Sequence, residues 1–240
     1  MKKRALVTGG SGDIGAAICQ RLAADGHHVI VHAHRARDRA DATVDAIRAR
    51  GGSAEAVAFD VTDRAASASA LAALTEAGAI QILVNNAGIH DDAVFPGMSG
   101  EQWDRVLDVS LNGFYNVTQP LTLPMIRTRW GRIVSISSVA AVMGNRGQVN
   151  YAAAKGALHS ASKALALEVA SRGITVNAVA PGIIETDMID GAFNQEAIKR
   201  LVPMQRAGRV DEVAALVAFL ASDQAAYISG QVISINGGMA

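Results

Sequence analysis

Short apolar runs rich in β-branched residues alternate with alanine-rich stretches along all 240 residues of the chain. Such runs predict strands covered on both faces, and the stretches between them are long enough to form crossover helices. Strands are predicted at 4–8, 28–33, 54–59, 80–84, 132–137, 174–179 and 231–235, and helices at 14–25, 38–50, 64–77, 101–128, 149–171 and 210–221. With no composition break, residues 1–240 are predicted to form a single α/β domain, a doubly wound, seven-stranded parallel sheet with helices on both faces.

The composition argues against several classes of protein. Basic and acidic residues number 22 each, so no net charge favours nucleic acid or an anionic membrane as a partner. The single cysteine, Cys19, cannot form a disulfide within the chain and is typical of a reducing compartment. No apolar run reaches the roughly 18 residues of a membrane-spanning helix. We therefore expect a cytoplasmic protein, and no metal site, because His32 and His34 alone form too small a ligand set.

A glycine-rich junction follows the first predicted strand. It reads Thr8-Gly9-Gly10-Ser11-Gly12-Asp13-Ile14-Gly15. Glycines let the backbone approach a pyrophosphate, and the helix that follows presents amide donors and the positive end of its dipole. The spacing Gly10-x-Gly12-x-x-Gly15 matches the dinucleotide fingerprint, in the strand-to-helix position that the fingerprint requires. All residues of this junction are therefore candidate cofactor contacts.

The ends of the next three strands add candidate contacts to the cofactor. After the second strand come His34, Arg35 and Arg37, without the acidic residue that binds the ribose 2′-hydroxyl at NAD sites. A basic cluster here favours a 2′-phosphate, and hence NADPH, although a solvated start to the next helix is the simpler interpretation of each residue. After the third strand, Asp60 could accept a hydrogen bond from the adenine amino group, with Val61 beside it. Further candidates after the fourth strand are Asn86, Ala87 and Gly88.

Ser138, Tyr151 and Lys155 have the side chains that acid–base chemistry requires. A tyrosine and a lysine four residues apart lie on the same face of a helix. A fixed ammonium beside the phenol, together with the positive nicotinamide ring of a cofactor, would lower its pKa from about 10 toward neutrality. Ser138 ends the fifth predicted strand and could donate a hydrogen bond to a substrate oxygen. In isolation such a pair is more often a surface helix pair; the neighbouring motifs favour catalysis.

In order and spacing, these motifs resemble the short-chain dehydrogenase/reductase family over the whole chain. The resemblance rests on Thr8-Gly9 with Gly15, Asn85-Asn86-Ala87-Gly88, Ser138, Tyr151-x-x-x-Lys155 and Pro181-Gly182. Within the family the chain is most similar to bacterial 3-oxoacyl-[acyl-carrier-protein] reductases, through segments 150–155, 170–177, 180–182, 185–188 and 236–239. The resemblance implies a Rossmann fold and NADPH-dependent reduction of a 3-oxoacyl thioester on acyl carrier protein, in fatty-acid or related polyketide or polyene synthesis.

The resemblance also implies a role for each site residue. Tyr151 would donate a proton to the ketone, Lys155 would hold the nicotinamide ribose and lower the pKa of the tyrosine, and Ser138 would polarise the carbonyl. Around the nicotinamide it implies contacts from Pro181, Gly182, Ile184 and Thr186.

Two positions depart from the family pattern. Asp13 stands where the family has glycine, and a carboxylate there should repel a pyrophosphate unless its side chain turns away to cap the helix. Many of the most similar relatives carry arginine at the position of Gly12, so contact with a 2′-phosphate shifts here to the cluster after the second strand. Ser110 replaces a catalytic asparagine whose backbone carbonyl helps hold a water linking the lysine to solvent. A serine keeps that carbonyl, so we expect a working relay.

The substrate side of the chain is less specific. The insert at about 183–206, with Met188, Ile189, Phe193 and Met204, is predicted to be a lid over an acyl chain, and ordinary helix packing explains it equally well. By resemblance, Arg129 and Arg172 would dock the acidic acyl carrier protein. The resemblance also implies a homotetramer. Its predicted interfaces are the helices 101–128 and 149–171, with Leu121, Leu123, Leu158, Leu165 and Leu167, and the strand at 230–236.

Three functions therefore stay open. The first is reduction of a carrier-bound 3-oxoacyl thioester. The second is oxidoreduction of a free small alcohol or ketone, a sugar or a steroid, which the lid residues do not exclude. The third is a nucleotide-binding regulatory protein with impaired catalysis, suggested by Asp13 and Ser110 and ranked last because Ser138, Tyr151 and Lys155 are all present.

Overall fold

One parallel sheet organises the chain, as the alternating pattern predicts. In the computed structural model, which describes residues 2–186 and 195–240, the sheet has seven strands in the order β3-β2-β1-β4-β5-β6-β7. The strands are β1 (Arg4–Val7), β2 (His28–Ala33), β3 (Ser53–Ala58), β4 (Ile82–Asn85), β5 (Gly131–Ile136), β6 (Ile174–Pro181) and β7 (Val232–Ile235). The strand order reverses between β1 and β4, so a crevice opens there at the carboxyl edge of the sheet. The predicted fold class is confirmed.

Helices cover both faces of the sheet. They are α1 (Asp13–Ala24), α2 (Arg37–Ala49), α3 (Arg64–Glu76), α4 (Gly100–Leu107), α5 (Gly113–Thr128), α6 (Ala140–Met143), α7 (Val149–Val169), α8 (Gln195–Leu201) and α9 (Val210–Ala221). Helices α1, α2 and α9 pack on one face, and α3, α5 and α7 pack on the other. In the part of the chain that the structure describes, none of these helices has the length and apolar character needed to span a membrane.

Most positions of the central strands are apolar because both faces of the sheet are covered. In β5, Ile133 packs toward α5 and α7, while its neighbour Val134 packs toward α9 on the opposite face. Successive side chains of a strand point to opposite faces, so a sheet covered on both sides favours apolar residues at successive positions. Each fully buried aliphatic side chain contributes roughly 1.5–3 kcal/mol. This double core makes the sheet a rigid support for the loops at its carboxyl edge.

The predicted helix at 101–128 is not a uniform α-helix. It consists of α4, a π-helical turn at Asp108–Asn112 and α5. The predicted helix at 149–171 becomes α7 followed by a 3₁₀ turn at Ala170–Arg172. A π turn inserts one residue into the helical repeat, and turns of this kind are frequent at functional sites.

The predicted apolar subunit-pairing face is partly wrong. Leu121 and Leu158 are 0% and 1% exposed, so they belong to the chain's own core. Leu165 is partly buried against that core. Leu123 and Leu167, in contrast, are 54% and 85% exposed and face outward from α5 and α7. Leucines of one helix therefore divide between core and surface, because α5 and α7 bury only the side that faces the sheet.

Candidate active site

A cleft of about 1810 Å³ runs along the carboxyl edge of the sheet. It collects most of the residues that the sequence singled out. Those lining it are Gly9, Ser11, Gly12, Asp13, Ile14, Gly15, His34, Arg35, Asp60, Val61, Asn86, Ala87, Gly88, Ser138, Tyr151, Lys155, Pro181, Gly182, Ile184 and Thr186. Of the other residues predicted to contact the cofactor or take part in catalysis, Thr8, Gly10 and Ser110 are not part of the lining, and neither is Arg37. Parallel strands end at one edge, and this brings positions far apart in the sequence to one cavity.

The glycine-rich turn fits the pyrophosphate of a dinucleotide. Gly9 has a φ of +63°, and a Cβ on Gly15 would lie 2.2 Å from the carbonyl oxygen of Gly9. Gly15 therefore lets the first turn of α1 pack against the loop. Gly12 is the N-cap of α1 and gives no side-chain cap, and a Cβ there would make only an ordinary contact at 3.5 Å. The amide groups of the first helical turn are thus accessible to an anion from the cleft.

Thr8 and Asn86 use their side chains inside the protein. Asn86 Nδ2 donates hydrogen bonds to the carbonyl oxygens of Thr8 and Gly9, at 2.9 and 3.0 Å. Thr8 Oγ1 accepts from the backbone amides of Asn86 and Ala87, both at 3.0 Å. These bonds fasten the turn after β1 to the loop after β4, so the two walls of the crevice form one unit.

His32 supports the same turn, a role that sequence reasoning missed. Its Nδ1 accepts a hydrogen bond from the Gly9 amide at 3.1 Å, and its Nε2 lies 3.0 Å from the carbonyl oxygen of Phe59, to which it donates. Burial lowers the pKa of His32 to about 4, which keeps the ring neutral and able both to accept and to donate. From the sequence alone, His32 was weighed only as a metal ligand. Among the described residues, no cluster of side chains suited to a metal ion is found. The position of His32 at the end of an apolar strand was the feature of the sequence that could have indicated this buried supporting role.

The basic residues after β2 are arranged differently from the prediction. His34 and Arg35 line the cleft, and His34 Nε2 lies 3.4 Å from Asp60 Oδ2. Arg37 is outside the lining and pairs with Asp41 on its own helix at 3.0 Å.

Arg39, which the sequence did not single out, does line the cleft. Its Nη2 lies 3.0 Å from Asp13 Oδ1. The carboxylate that departs from the family pattern is thus held in an ion pair at the first residue of α1. Asp13 consequently brings no unbalanced negative charge to the phosphate-binding turn.

Tyr151 and Lys155 lie on one face of α7, as their spacing predicts. Lys155 Nζ is 5.8 Å from the centre of the Tyr151 ring and donates a hydrogen bond to the carbonyl oxygen of Ile136 at 2.9 Å. A Cβ on Gly88 would lie 2.7 Å from this ammonium, so any larger residue at position 88 would require the ammonium to shift. Ser138 is hydrogen-bonded to Tyr151, and its Oγ accepts from the amide of Ala140 at 3.1 Å. A phenol, a hydroxyl and an ammonium thus meet at the end of β5.

Burial dominates the acid–base properties of these groups. It lowers the pKa of Lys155 to about 8. Burial also raises the pKa of Tyr151, a shift that the hydrogen bond with Ser138 opposes and the charge of Asp92 increases. We expected the Lys155 ammonium to help lower the pKa of the Tyr151 phenol. In the protein without its cofactor, the pKa of this phenol is instead raised. Desolvation outweighs an ammonium that is 5.8 Å from the ring centre.

Ser110 lies in the π turn, close to Lys155. Its side chain is 3% exposed, and its Oγ has no hydrogen-bond partner among the described residues. A Cβ on Gly88 would be 2.7 Å from Lys155 Nζ and 3.7 Å from Ser110 Oγ, so both groups border the same small space. Asn112 instead donates to Asp108 Oδ1 at 2.6 Å on the exposed side. It does not take the place of the missing asparagine, as its position on the helix predicts.

The substrate side of the cleft carries an acidic wall, which we define as Asp92, Glu101, Asp104 and Asp108. Asp92 Oδ2 accepts from Gln148 Nε2 at 2.8 Å, and Asp92 Oδ1 is 3.3 Å from His90 Nδ1. Of the predicted lid residues, Met188, Ile189 and Phe193 lie outside the described residues. Met204 is described and is 67% exposed.

Arg129 and Arg172 lie at the opposite edge of the sheet from the cleft. Arg129 precedes β5, Arg172 precedes β6, and the Arg129 side chain donates to the carbonyl oxygen of Ser171 at 3.4 Å. Strand β5 has 6 residues. At roughly 3.3 Å per residue, about 20 Å therefore separates its two ends. The two arginines are neighbours, but they are remote from Tyr151 of the same chain.

A dinucleotide turn at the switch point of a parallel sheet, with a tyrosine and a lysine beside it, defines a Rossmann-type oxidoreductase that uses a nicotinamide cofactor. Comparison with known proteins narrows this class. The family model described as enoyl-(acyl carrier protein) reductase matches residues 10–240. The chain belongs to the short-chain dehydrogenase/reductase family, which confirms the resemblance drawn from its motifs.

Similar proteins match along the whole chain. A 3-oxoacyl-[acyl-carrier-protein] reductase FabG of Aggregatibacter actinomycetemcomitans is 47% identical over 241 residues, covering 100% of both chains. The FabG of Escherichia coli K12 is 46% identical over 99% of this chain and 97% of its own length. Among solved structures, a candidate gluconate dehydrogenase of Agrobacterium tumefaciens has a TM-score of 0.95 and 33% identity, covering 99% of this chain and 95% of that one.

Proposed function

We propose that this protein reduces 3-oxoacyl thioesters carried by acyl carrier protein to 3-hydroxyacyl thioesters, with NADPH, in fatty-acid or a related polyketide or polyene synthesis. The observation that carries the proposal is identity of 46–47% over essentially the whole length to proteins named as 3-oxoacyl-[acyl-carrier-protein] reductases. The juxtaposition of Ser138, Tyr151 and Lys155 supports it independently, because carbonyl reduction needs hydroxyl donors and a mobile proton in one place.

The chemistry divides between the cofactor and three side chains. The nicotinamide, when bound, supplies the hydride to the carbonyl carbon. Ser138 and Tyr151 donate hydrogen bonds to the carbonyl oxygen, which stabilises the negative charge that develops there. Tyr151 then gives its proton to that oxygen. Lys155, largely an ammonium below pH 8, favours the phenolate that remains and holds the ribose hydroxyls of the cofactor.

The other residues that line the cleft would hold the cofactor. The amides of the turn from Gly9 to Gly15 bind the pyrophosphate, and Arg35 binds the 2′-phosphate. Asp60 and Val61 border the adenine, and Asn86, Ala87 and Gly88 shape the floor. Pro181, Gly182, Ile184 and Thr186 also line the cleft and would border the nicotinamide.

We assign Ser110 to the proton supply. Ser110 Oγ is buried without a hydrogen-bond partner among the described residues, and it borders the same space as Lys155 Nζ, which suits a water held between the Ser110 backbone and Lys155.

The acidic wall favours a neutral thioester over a free sugar acid. Gluconate and its keto forms are anions, and the carboxylates of Asp92, Glu101 and Asp104 would repel them. The acyl and thioester groups of a carrier-bound substrate have no charge near the reacting carbon. The likeness to the candidate gluconate dehydrogenase therefore supports the fold and the hydride chemistry more than that substrate.

Carrier docking, in this proposal, uses Arg129 and Arg172. These two exposed arginines are neighbours, and an acidic carrier protein would gain two charge-assisted contacts from them. They stand about 20 Å from the carboxyl edge of their own subunit. A carrier bound there would serve the cleft of another subunit, which requires the homo-oligomer, a tetramer by resemblance.

Rates of NADPH oxidation with a substrate panel test the proposal. The panel is acetoacetyl acyl carrier protein, acetoacetyl N-acetylcysteamine, the crotonyl form of each thioester, 5-ketogluconate and a steroid ketone. We expect both acetoacetyl thioesters to be reduced, with the higher kcat/KM for the carrier-linked one. Faster reduction of the crotonyl thioesters would make the protein an enoyl reductase, and faster reduction of a free ketone would support the second function. Cofactor binding without turnover on any carbonyl would indicate the regulatory function.

A further inference from the structure

An ion pair bridges α1 and α2 across the cofactor cleft. Arg39, on α2, places Nη2 at 3.0 Å from Oδ1 of Asp13, the first residue of α1. Both side chains line the cleft, and Arg39 retains 57% of its side-chain exposure. The pair therefore lies in the lining of the cleft where the phosphates of a dinucleotide would bind, and it remains partly open to solvent.

The pairing leaves most of the guanidinium free. Arginine has five N–H donors in a planar fork, and the contact recorded with Asp13 uses Nη2. The remaining donors can bind a second anion, and a phosphate matches their geometry. The carboxylate fixes the direction in which the guanidinium points, which lowers the entropy lost when a phosphate binds.

Arg39 lies near the place where the ribose of the adenosine is expected to bind. In this fold the end of β2 faces the 2′ position of that ribose, and β2 ends at Ala33. His34 and Arg35 follow at once, and Arg39 returns to the same cavity one helical turn later. Arg37 has the same side chain and its own ion pair, with Asp41, but it does not line the cleft.

We propose that Arg39 binds the 2′-phosphate of NADPH together with Arg35 and contributes most of the preference for NADPH over NADH, and that Asp13 is a positioning residue that holds the Arg39 guanidinium toward this phosphate. This inference rests on the proposed use of NADPH. It also gives a function to the carboxylate on the phosphate-binding turn, which otherwise opposes an anionic ligand.

Calorimetric dissociation constants for NADPH and NADH test the first half. We expect Arg39→Ala to weaken NADPH binding by about 10- to 100-fold, the range for one lost charge-assisted contact, and NADH binding by less than about twofold. Arg37→Ala is the matched control, since it removes an ion-paired arginine from the same helix, and it should change neither constant. Equal weakening of both cofactors by Arg39→Ala, or an equal effect of Arg37→Ala, would overturn the assignment.

Asp13→Asn tests the positioning role because its effect should change sign. With Arg39 present, the substitution frees the guanidinium, so NADPH binding should weaken by about 3- to 10-fold. In the Arg39→Ala background the same substitution removes a negative charge near the phosphates that Arg39 no longer offsets, so NADPH binding should strengthen. Stronger NADPH binding in both backgrounds would overturn the positioning role.

The affinities of the wild-type protein for NADPH and NADH distinguish failure of this inference from failure of the proposed function. A wild-type preference for NADPH that survives Arg39→Ala would refute Arg39 and leave the cofactor assignment intact. A wild-type protein that binds NADH as tightly as NADPH would refute both.

Discussion

At the scale of single residues, burial sets the charge states of the site. Lys155 must be an ammonium to assist Tyr151, yet burial lowers its pKa to about 8. His32 must be neutral to accept from Gly9 and donate to Phe59, and burial lowers its pKa to about 4. In one case desolvation works against the function of the side chain, and in the other it secures that function.

The depressed pKa of Lys155 predicts an unusual dependence of stability on pH. Between pH 8 and its unfolded value of 10.5, the unfolded chain binds a proton that the folded protein has lost. The free energy of unfolding of the wild type, relative to Lys155→Met, should therefore rise with pH through this window, by about 3 kcal/mol in total. Urea denaturation of both cofactor-free proteins from pH 7 to 10 measures it. A flat difference would contradict the depressed pKa.

His32 predicts loss of stability in acid. Its folded pKa of about 4 lies below the ordinary value of 6.5, so protonation favours the unfolded chain as the pH falls through this interval. The difference in unfolding free energy between the wild type and His32→Gln should fall by about 3 kcal/mol from pH 6.5 to 4. Other histidines remain in both proteins and cancel. A pH-independent difference would show that the ring is protonated in the fold.

The sequence predicted which residues form the site better than it predicted the interactions that each of them makes. Tyr151 and Lys155 were found because a helix places positions four apart on one face. Arg37 was predicted and Arg39 was missed, because the choice between them depends on how α2 is rotated against Asp13. The sign of the pKa shift of Tyr151 was also missed, since burial of a phenol depends on packing that local sequence does not specify.

At the scale of secondary-structure elements, the helix from α4 to α5 is irregular next to the candidate site. The π turn at Asp108–Asn112 brings Ser110 into the buried space beside Gly88. Gly113 follows the turn, and a Cβ there would meet Val61 at 3.0 Å, so α5 packs closely on the loop after β3. The apolar period of 101–128 predicted one helix because one inserted residue shifts the phase by only part of a turn, and a single glycine such as Gly113 is tolerated inside an α-helix.

Two glycines of the turn before α1 should separate stability from cofactor binding. Gly15→Ala places a Cβ 2.2 Å from a backbone oxygen of Gly9, so it should lower the free energy of unfolding by at least about 2 kcal/mol. Gly12→Ala makes a contact of only 3.5 Å with that oxygen and should leave stability nearly unchanged. It should still weaken NADPH binding about tenfold, because Gly12 lines the cleft at the N-cap of α1, where an added methyl group would crowd a pyrophosphate bound to the helix amides. Chemical denaturation and calorimetry measure both effects, and equal loss of stability in the two variants would contradict this division.

At the scale of the whole molecule, the proposed docking arginines and the cleft lie at opposite edges of one sheet. The sequence predicted the order of elements, and a parallel sheet then determines the edge at which each loop lies. Arg129 precedes β5 and Arg172 precedes β6, so both arginines lie at the edge opposite the cleft and are remote from Tyr151 of the same chain. Exposed Leu123 and Leu167 remain as candidate subunit contacts, whereas Leu121 and Leu158 belong to the core.

Mixed oligomers test docking between subunits. Subunits with Arg129→Glu and Arg172→Glu should reduce the N-acetylcysteamine thioester normally and the carrier-linked thioester at least about tenfold more slowly. Tyr151→Phe subunits should reduce neither. Co-expression of the two should restore much of the rate on the carrier-linked thioester, because one subunit docks the carrier for the intact cleft of its neighbour. A mixture no more active than the average of its parents would contradict docking in trans.

The most direct test of the account is the turnover of Tyr151→Phe with an acetoacetyl thioester and NADPH, compared with the wild type at the same pH. The substitution removes one hydroxyl from a buried ring, so the thermal unfolding temperature and the NADPH dissociation constant should stay close to those of the wild type. We predict that kcat falls by about 10²- to 10⁴-fold, the contribution of a positioned general acid. A folded, NADPH-binding variant that keeps more than about a tenth of the wild-type kcat would contradict proton donation by this phenol.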